Sequence, residues 1–449
     1  MTPQPMHMAN SYDPSADRTA LPPSAAALLA RRERVLGAPY RLFYEEPLEA
    51  VRGEGVLLYD AAGRDHLDVY NNVPAVGHSN PRVQQAVADQ LGRLNTHTRY
   101  LTSGIVDYAE RLTALFPPHL EQAIFCCSGS EAVDLAMRIA EHHTGSSGWL
   151  VTRHAYHGTT RAAAGVSPSL GSNNPIPPHV VLVDAPDQLR DDPASTERTF
   201  AAQVSAGVET LRRRGAGLAG LLVDSCLSSD GLQLDPAGFL RSAVDLVHRE
   251  GGVYVADEVQ PGFGRLGTGW WGFPRHAVEP DLVVLGKPMG NGLPISAVVG
   301  RRSLFDGFGR DVRYFNTFAG SPVCVAAADA VLTEIETRDL IPHAAQVGQY
   351  LVRELRRLAT GDERIGDVRG AGLFVAVELV QDRTGLAPDP GTAAALVNEL
   401  RRRRVLISAS GRHGNVLKIR PPLVFDDGHA DRFLTEFDAA LSVCGAASS

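Results

Sequence analysis

The chain has 449 residues, with 43 Lys and Arg side chains against 51 Asp and Glu, and a formal net charge of −8. This acidic balance excludes a nucleic-acid binder, because neutralising phosphates requires clustered cations, and no apolar run is long enough to span a membrane. Hydrophobic residues make up 44% of the chain and charged residues 21%, as in a globular protein. The five cysteines are odd in number and form no CxxC pair. They predict neither a disulfide framework nor a cysteine-rich zinc site, and favour the reducing cytoplasm.

Four segments follow one another along the chain. The first is polar, lacks apolar periodicity and is predicted to be a mobile tail. The second combines a helix with a hairpin. The third alternates short apolar strands with helices, which predicts a large α/β domain with a mostly parallel sheet covered on both faces, and the fourth repeats this on a smaller scale. The predicted bounds are 1–22 for the tail, 23–75 for the N-terminal segment, 76–330 for the large domain and 331–449 for the C-terminal small domain.

Apolar runs and turn residues place the individual elements. The hairpin of the N-terminal segment is predicted to turn at Ala62-Gly63. A helix over 236–250 is predicted, with Asp235 as its N-cap and Pro236 in its first turn. The strands of the large domain are predicted at 123–127, 149–152, 179–184, 218–224, 253–257, 281–285 and 295–300.

Distinctive polar residues stand at the ends of three of these strands. The triplet Ser128-Gly129-Ser130 follows the first strand, Asp257 ends another, and Lys287 comes shortly after a third. Ligands of open α/β sheets bind at the carboxyl ends of the strands. We therefore expect these distant parts of the chain to form one site.

Each of these residues has a structural interpretation beside a functional one. The Ser-Gly-Ser triplet can cap a helix or bind an anion at its N-terminus. Asp257 can cap a turn or serve as counter-ion to a protonated ring nitrogen, since an isolated buried carboxylate is unfavourable. Lys287 lies in an otherwise uncharged stretch rich in Gly and Pro. It can be an exposed loop residue, or an amine whose pKa is lowered by desolvation and which attacks carbonyl groups.

An aromatic residue and an arginine complete the set. Tyr156 precedes His157 after a strand and can stack on a planar ligand, with packing or a surface turn as the alternative. Arg420 precedes two prolines and can bind a carboxylate bidentately or form a surface ion pair. Taken together, an anion cradle, an aromatic plate, a carboxylate for a ring nitrogen and a carbonyl-reactive lysine are what pyridoxal 5'-phosphate (PLP) chemistry requires.

From about residue 25 to 442 the sequence resembles the class III, fold-type I, PLP-dependent aminotransferases. The most specific block is 253–299, with VYVADEVQPGFGRLGTGWWGF and PDLVVLGKPMGNGLPISAVVG. The roles that the resemblance implies are a Schiff base with PLP for Lys287, pairing with the pyridine nitrogen for Asp257, contact with the ring hydroxyl for Gln260, cover of one ring face for Tyr156 with His157 beside it, and phosphate binding for Ser128, Gly129 and Ser130.

The resemblance also implies an assembly and an architecture. The family forms an obligate homodimer with sites at the interface, in which Thr317 would bind the phosphate of the neighbouring site. Its fold is a large PLP domain with a mostly parallel seven-stranded sheet, plus a small α/β domain built from both chain ends. The segment 23–75 is therefore expected to join the small domain.

Within the family, three stretches are similar to the branch related to alanine–glyoxylate aminotransferase, namely 68–83, 94–101 and 415–425. This branch also contains phospho-lyases that act on O-phosphoethanolamine and phosphohydroxylysine. Tyr70 and Asn72, in the first stretch, are predicted to contact substrate.

One stretch departs from the family pattern. Many members carry Gln-Gly-Glu-Gly, whose glutamate can pair with the arginine that binds the substrate carboxylate. Here the corresponding stretch, 223–232, has Asp230 and no glutamate. Arg420 stands where some phospho-lyases of the branch have lysine, which favours a carboxylate-bearing partner.

The predicted function is that of a PLP-dependent transaminase, which moves an amino group from an amine or amino acid to an oxo acid by a ping-pong mechanism. The main alternative is a phospho-lyase that eliminates phosphate from a phosphorylated amine. An amino acid racemase and a PLP-binding protein without activity are further alternatives. The expected partners are small molecules and a second copy of the chain, with no nucleic acid and no membrane, in the cytoplasm.

Overall fold

The computed structural model describes residues 10–15 and 21–446. Its α-helices are α1 (Pro23–Leu36), α2 (Pro81–Leu91), α3 (Ser103–Thr113), α4 (Gly129–Thr144), α5 (Arg161–Gly165), α6 (Thr196–Arg213), α7 (Arg241–Arg249), α8 (Arg302–Asp311), α9 (Pro322–Thr337), α10 (Leu340–Ala359), α11 (Pro390–Arg402) and α12 (Asp427–Ala446). Short 3₁₀ helices span Pro168–Leu170, Phe273–His276 and Lys287–Gly290.

The strands are short, as the sequence pattern predicts. They are β1 (Ala50–Glu54), β2 (Leu57–Asp60), β3 (Asp65–Asp68), β4 (Gln122–Cys126), β5 (Trp149–Thr152), β6 (Val180–Val183), β7 (Gly220–Asp224), β8 (Val253–Asp257), β9 (Leu282–Leu285), β10 (Ser296–Gly300), β11 (Ile365–Ala371), β12 (Phe374–Leu379), β13 (Val405–Leu406), β14 (Ser408–Ser410) and β15 (Val416–Ile419).

The central sheet has seven strands in the order β4-β10-β9-β8-β7-β5-β6. β10 runs antiparallel to both of its neighbours, and the other pairs of adjacent strands are parallel. Every residue of β5, β8, β9 and β10 is buried, as expected for parallel strands covered by helices on both faces. The predicted α/β fold with a mostly parallel seven-stranded sheet is confirmed.

Two smaller sheets have the orders β1-β2-β3-β13 and β11-β12-β15-β14, and the first of them joins the two ends of the chain. β13 pairs in parallel with β3, with Val405 opposite Leu67, so that the N-terminal and C-terminal parts of the chain share one sheet. The Tyr44 hydroxyl adds a hydrogen bond to the Ile407 carbonyl at 3.0 Å. The hairpin between β2 and β3 turns at Gly63, whose φ of +78° suits glycine.

The helix predicted over 236–250 is wrong at its start. α7 begins only at Arg241, because Gly238 has a φ of +90°, outside the helical region. Asp235 does not cap the helix. Its carboxylate instead accepts a hydrogen bond from Arg275 at 2.5 Å.

Part of the segment predicted as a mobile tail is packed onto the protein. Asn10 and Tyr12 are buried, and the Tyr12 N–H donates to the Leu42 carbonyl at 2.9 Å. The Ser408 hydroxyl donates to the Asn10 side chain at 2.9 Å. The buried Tyr12 ring and the Asn10 amide, which is bonded to Ser408 in a small sheet, explain why this part of the predicted tail is packed. Residues 1–9 and 16–20 of the predicted tail lie outside the described residues.

One helix crosses a predicted domain boundary. The boundary at 330/331 falls inside α9, which continues unbroken to Thr337 and is buried along most of its length. The chain therefore has no break in its helix at this predicted boundary, and the division into domains stays a prediction. In the part of the chain that the structure describes, no helix has both the length and the apolar character to cross a bilayer.

Candidate active site

The carboxyl ends of five strands of the central sheet surround one cavity. β4, β5, β7, β8 and β9 each contribute the residues at or just beyond their last position, because parallel strands end at the same edge. The cavity measures about 90 Å³ and is lined by Gly129, Ser130, Tyr156, His157, Gly158, Asp224, Asp257, Val259, Gln260 and Lys287. The structure thus brings together most of the residues predicted to bind the cofactor.

One end of this cavity is the N-terminus of α4. The Ser128 hydroxyl accepts a hydrogen bond from the Glu131 N–H at 3.2 Å, and the Glu131 carboxylate accepts one from the Cys127 N–H at 2.7 Å. The first bond makes Ser128 the N-cap of the helix, and the second ties the Glu131 carboxylate to the residue before the cap. The backbone N–H groups of the first turn, at Gly129 and Ser130, have no partner within a helix and attract anions. Capping and anion binding are therefore compatible here.

Gly158 closes the same end of the cavity. Its φ of +140° is unfavourable for other residues, and a Cβ at this position would lie 2.5 Å from the Ser130 hydroxyl oxygen. The Ser130 hydroxyl accepts a hydrogen bond from the Thr159 N–H at 3.0 Å, which fixes this loop against α4. The glycine keeps open a small polar cradle at the helix N-terminus.

Asp257 stands at the opposite end, buried at the last position of β8. One of its carboxylate oxygens is 2.6 Å from Nδ1 of His157, and the other accepts the Val259 N–H at 3.0 Å. Nε2 of His157 is buried without a partner among the described residues. The imidazole and the backbone hold the carboxylate in one orientation, facing the cavity.

Lys287 follows β9 and enters the cavity from its side. Burial, together with the positive charge of Arg420, lowers the pKa of its amine to about 8, so that a substantial fraction is an unprotonated nucleophile near neutral pH. Its Nζ is 5.9 Å from the ring centroid of Tyr156. The exposed-loop interpretation of this lysine is thereby excluded.

A chain of polar contacts leads from the floor of the cavity to its outer side. The Asp224 carboxylate accepts a hydrogen bond from the Ser228 hydroxyl, and Ser228 accepts one from the Gln260 amide at 2.5 Å. The amide oxygen of Gln260 accepts one from the Arg420 guanidinium, which lies 4.4 Å from the ring centroid of Tyr70. Arg420 is thus held beside the cavity by an amide and an aromatic ring, with no carboxylate.

Comparison with known proteins identifies the family. Residues 44–441 match class III aminotransferases. An alanine–glyoxylate aminotransferase 2-like protein of Drosophila melanogaster is 39% identical, with 92% of this chain and 86% of that protein covered. The chain belongs to the class III aminotransferase family.

Two other relatives of this class III aminotransferase have names from the phospho-lyase branch. An ethanolamine-phosphate phospho-lyase homolog of Caenorhabditis elegans is 34% identical, with 96% of this chain and 97% of that protein covered. The structure of a phospholyase from Arthrobacter in complex with phosphoethanolamine is 44% identical with a TM-score of 0.90, covering 92% of this chain and 99% of that one.

The class III aminotransferases are PLP enzymes, and the cavity fits this cofactor chemically. The cofactor has an aldehyde, a phosphate and a pyridine nitrogen, for which the cavity has an amine of lowered pKa at Lys287, the α4 N-terminus and Asp257 respectively. Because Gly158 has no side chain, Ser130 at the α4 N-terminus packs directly against its backbone, and both residues line the cavity. These residues could hold the group in one orientation.

Five predicted site residues of this aminotransferase are not part of the cavity lining: Ser128 and Arg420, both described above, and Thr317, Tyr70 and Asn72. Thr317 is exposed on the surface. Tyr70 lines a neighbouring cavity together with Phe43 and Asn71. Its ring nevertheless contacts Arg420. Asn72 is 2% exposed, and its Nδ2 has no partner among the described residues.

Asp230, in the stretch where many members of the family have glutamate, forms no hydrogen bond or ion pair with Arg420 in the described part of the chain. It accepts hydrogen bonds from the Thr152 hydroxyl at 2.7 Å and the His154 N–H at 3.1 Å. Burial raises its pKa to about 6. It therefore anchors β5 to the loop after β7 and does not act as a gate on the arginine.

Sequence reasoning missed Asp224 and Ser228. Burial and the neighbouring Asp257 raise the pKa of Asp224, and the two carboxylates lie opposite each other in the β7–β8 register. The signal was available, because Asp224 ends an apolar strand as Asp257 does. Ser228 and Gln260 lie on two different loops. Their contact therefore leaves no pattern in the sequence around either residue.

Proposed function

We propose that this class III enzyme is an aminotransferase that moves an amino group from an amine or amino acid to an oxo acid. The observation that carries the proposal is the Lys287 amine, with its pKa lowered to about 8, in one cavity with the buried Asp257. When bound, the cofactor supplies a ring that accepts the electrons left when a substrate C–H bond breaks. The protein must then bind and orient the cofactor and the substrate, and it must move protons.

The residues divide this work. Asp257, fixed by His157, holds the proton on the ring nitrogen, and the α4 N-terminus at Ser128, Gly129 and Ser130 holds the phosphate. Tyr156 would cover one face of the ring, and Gln260 would contact the ring hydroxyl. The Lys287 amine would hold the cofactor, and its Nζ, when free, is the base that takes the proton from the substrate carbon. Arg420 binds the carboxylate of the oxo acid, with Tyr70 and Asn72 at the substrate side.

A second reaction deserves the same test, because the Arthrobacter phospholyase is 44% identical over 92% of the chain. In that reaction Lys287 removes the same proton, but the bond between carbon and the phosphate oxygen then breaks and phosphate leaves with the electron pair. The two reactions share the removal of this proton. They differ in which bond forms or breaks next. Arg420 has no carboxylate partner among the described residues, and this is compatible with both reactions.

A single assay separates the two reactions. Holoenzyme is mixed with candidate amines, including phosphoethanolamine, with and without an oxo acid, and the pyridoxamine form of the cofactor and inorganic phosphate are measured together. Amino transfer is expected to convert the cofactor once per site and to continue only with an oxo acid. Elimination would release phosphate repeatedly without one. If no amine gave either product, the proposed function would be wrong.

The enzyme acts as a homodimer in which Thr317 binds the phosphate in the partner's site. Thr317 is exposed, and the apolar side chains next to it and near it in the fold are exposed as well, among them Phe318 at 73% and Leu101 at 97%. The stack of Arg99 on Phe315, at 3.7 Å from the ring centroid, adds to this surface. Such a patch is typical of an interface.

Mixing two inactive variants tests this arrangement. In a Lys287→Ala and Thr317→Ala heterodimer, one site carries both defects and the other carries neither, if Thr317 serves the partner. Random reassortment is then expected to restore about a quarter of wild-type activity at limiting cofactor. No gain on mixing, with heterodimers verified by mass, would place Thr317 in the site of its own subunit or outside both.

The proposed compartment is the cytoplasm. All five cysteines are free thiols, and burial raises the pKa of Cys126, Cys127 and Cys226. Thiols of this kind are protonated and unreactive at neutral pH, which suits an enzyme of a reducing compartment.

A further inference from the structure

A further cavity lies where the two ends of the chain meet, and we call it the junction cavity. It measures about 500 Å³, a size typical of small-molecule sites, and it shares no lining residue with the catalytic cavity. Its walls are the start of α1, the segment 46–49, the β2–β3 hairpin and the end of α11. Ionisable side chains make up half of this lining, so the junction cavity suits a charged ligand.

One arginine of the junction cavity lacks a partner, in contrast to its neighbours. Arg402 pairs with Glu399 at 2.9 Å, and Arg404 pairs with Asp65 at 2.6 Å. Arg401 forms no hydrogen bond or ion pair within the part of the chain that the structure describes, and its Nε is buried. Burial lowers the pKa of its guanidinium. A buried N–H donor in this state is unfavourable unless an acceptor joins it.

A histidine of the same cavity lacks a partner of the opposite kind. His66 is 1% exposed, and its Nε2 is 3.1 Å from a carboxylate oxygen of Asp60. Burial opposes ionisation of Asp60, but hydrogen bonds from His66 and Arg64 keep its pKa well below the ordinary value. The ionised carboxylate only accepts hydrogen bonds, so Nε2 is the nitrogen that carries the proton.

The other ring nitrogen of His66 is therefore an acceptor. Burial lowers the pKa of this imidazole, so the ring is neutral near neutral pH and its Nδ1 has a lone pair. Nδ1 is buried without a partner among the described residues. The junction cavity thus holds an unpaired donor on Arg401 and an unpaired acceptor on His66.

The rest of the lining offers the same two kinds of contact. No side chain caps α1, whose N-cap is Pro22, and the N–H groups of its first turn attract oxyanions. Two of these N–H groups belong to Ser24 and Ala25, which line the cavity. Glu46 and Glu49 line it as well, and neither forms an ion pair with a residue of 10–15 or 21–446. An anionic group and a cationic group therefore both have complements here.

We propose that the junction cavity is a binding site for a small amino acid zwitterion, separate from the active site. The ligand's carboxylate accepts hydrogen bonds from Arg401 and from the start of α1. Its ammonium group donates to Nδ1 of His66 and is attracted by Glu46 and Glu49. A simple anion would leave Nδ1 unpaired and face two carboxylates, and a simple cation would leave Arg401 unpaired. The site does not depend on which reaction the catalytic cavity performs.

Hydrogen–deuterium exchange of the holoenzyme tests the proposal without turnover. The probe is N-methylglycine, a zwitterion whose secondary amine forms no neutral imine with the cofactor aldehyde. It is expected to slow amide exchange in peptides that cover the start of α1 and the β2–β3 hairpin. Propionate and dimethylammonium each carry one of the two charged groups. At equal ionic strength, both should slow exchange in these peptides much less.

Variants on the two sides of the cavity separate the two ends of the ligand. Arg401→Met should raise the concentration of N-methylglycine needed for half-maximal protection by about 10- to 100-fold, the loss of a charge-assisted contact. The double variant Glu46→Gln, Glu49→Gln should also weaken N-methylglycine binding, but it should strengthen propionate binding. Arg402→Met is the matched control, because it removes an arginine of the same lining that already has a partner. It should leave protection nearly unchanged.

Three results would overturn the proposal. They are the lack of any protection by N-methylglycine, equal protection by propionate, and protection in Arg401→Met that equals that of wild type. Thermal unfolding and the visible cofactor band verify that each variant is folded and loaded. A failure of the proposed function is a separate outcome, because the readout is the exchange of amides outside the catalytic cavity.

Discussion

Replacing Lys287 with alanine is expected to lower turnover by about 10⁴-fold, because the amine both holds the cofactor and moves the proton. The measurement is the rate of the amine half-reaction under single-turnover conditions with saturating PLP. Added methylamine is expected to restore part of the rate, since a small amine can occupy the space that the side chain leaves. A rate within about tenfold of wild type would contradict the assignment of Lys287 as the proton carrier.

The scarcity of lysine supplies a clean control for this variant, because the chain has only two, the buried Lys287 and Lys418. Borohydride reduction of the holoenzyme, followed by mass spectrometry of the peptides, is expected to fix the cofactor on the peptide with Lys287. The Lys418→Met variant should keep that label and Lys287→Ala should lose it. Label on Lys418 would show that the two lysines had been assigned the wrong way round.

Replacing Asp257 with asparagine is expected to lower the rate of proton abstraction by about 10²- to 10³-fold, because a neutral amide no longer stabilises the protonated ring nitrogen. The side chain keeps its size, so the fold should be retained. The change also removes the charged partner of His157, which lies 2.6 Å away. Pre-steady-state absorbance of the cofactor measures the step.

Asp224→Asn is the matched control for this variant. Asp224 lies opposite Asp257 on the adjacent strand and lines the same cavity, but it bonds to Ser228 and the backbone. Its neutralisation should cost much less than that of Asp257. If the two variants lost the same rate, the ring-nitrogen role of Asp257 would be wrong and a general loss of negative charge would explain both.

The central sheet was predictable because its strands are continuous apolar runs, a pattern that burial on both faces imposes. β5 and β8 match their predicted bounds, and the other strands of the central sheet differ by one or two residues at an end. The error at α7 came from a positive φ at Gly238, a backbone conformation that the composition of the segment did not signal. The packing of Asn10 and Tyr12 against distant parts of the chain likewise leaves no periodic trace.

The site was predictable where the residues follow strands, as Asp257 and Lys287 do. Whether Lys287 was exposed could be settled only by the fold, because burial depends on what covers a loop. The polar chain through Ser228 to Arg420 joins three separate segments. The junction cavity escaped notice for the same reason: its walls come from residues 21–66 and from residues 401–404.

Both lysines being buried has a practical consequence. The outer surface carries its positive charge only as guanidinium groups, which do not react with succinimidyl esters or glutaraldehyde under the conditions used for amines. Apart from the α-amine of the chain, such reagents have no side-chain target on the surface. Apart from that α-amine, attachment of this enzyme to a support or a dye through amine chemistry would therefore act at the active site, and carboxylates are the groups to use instead.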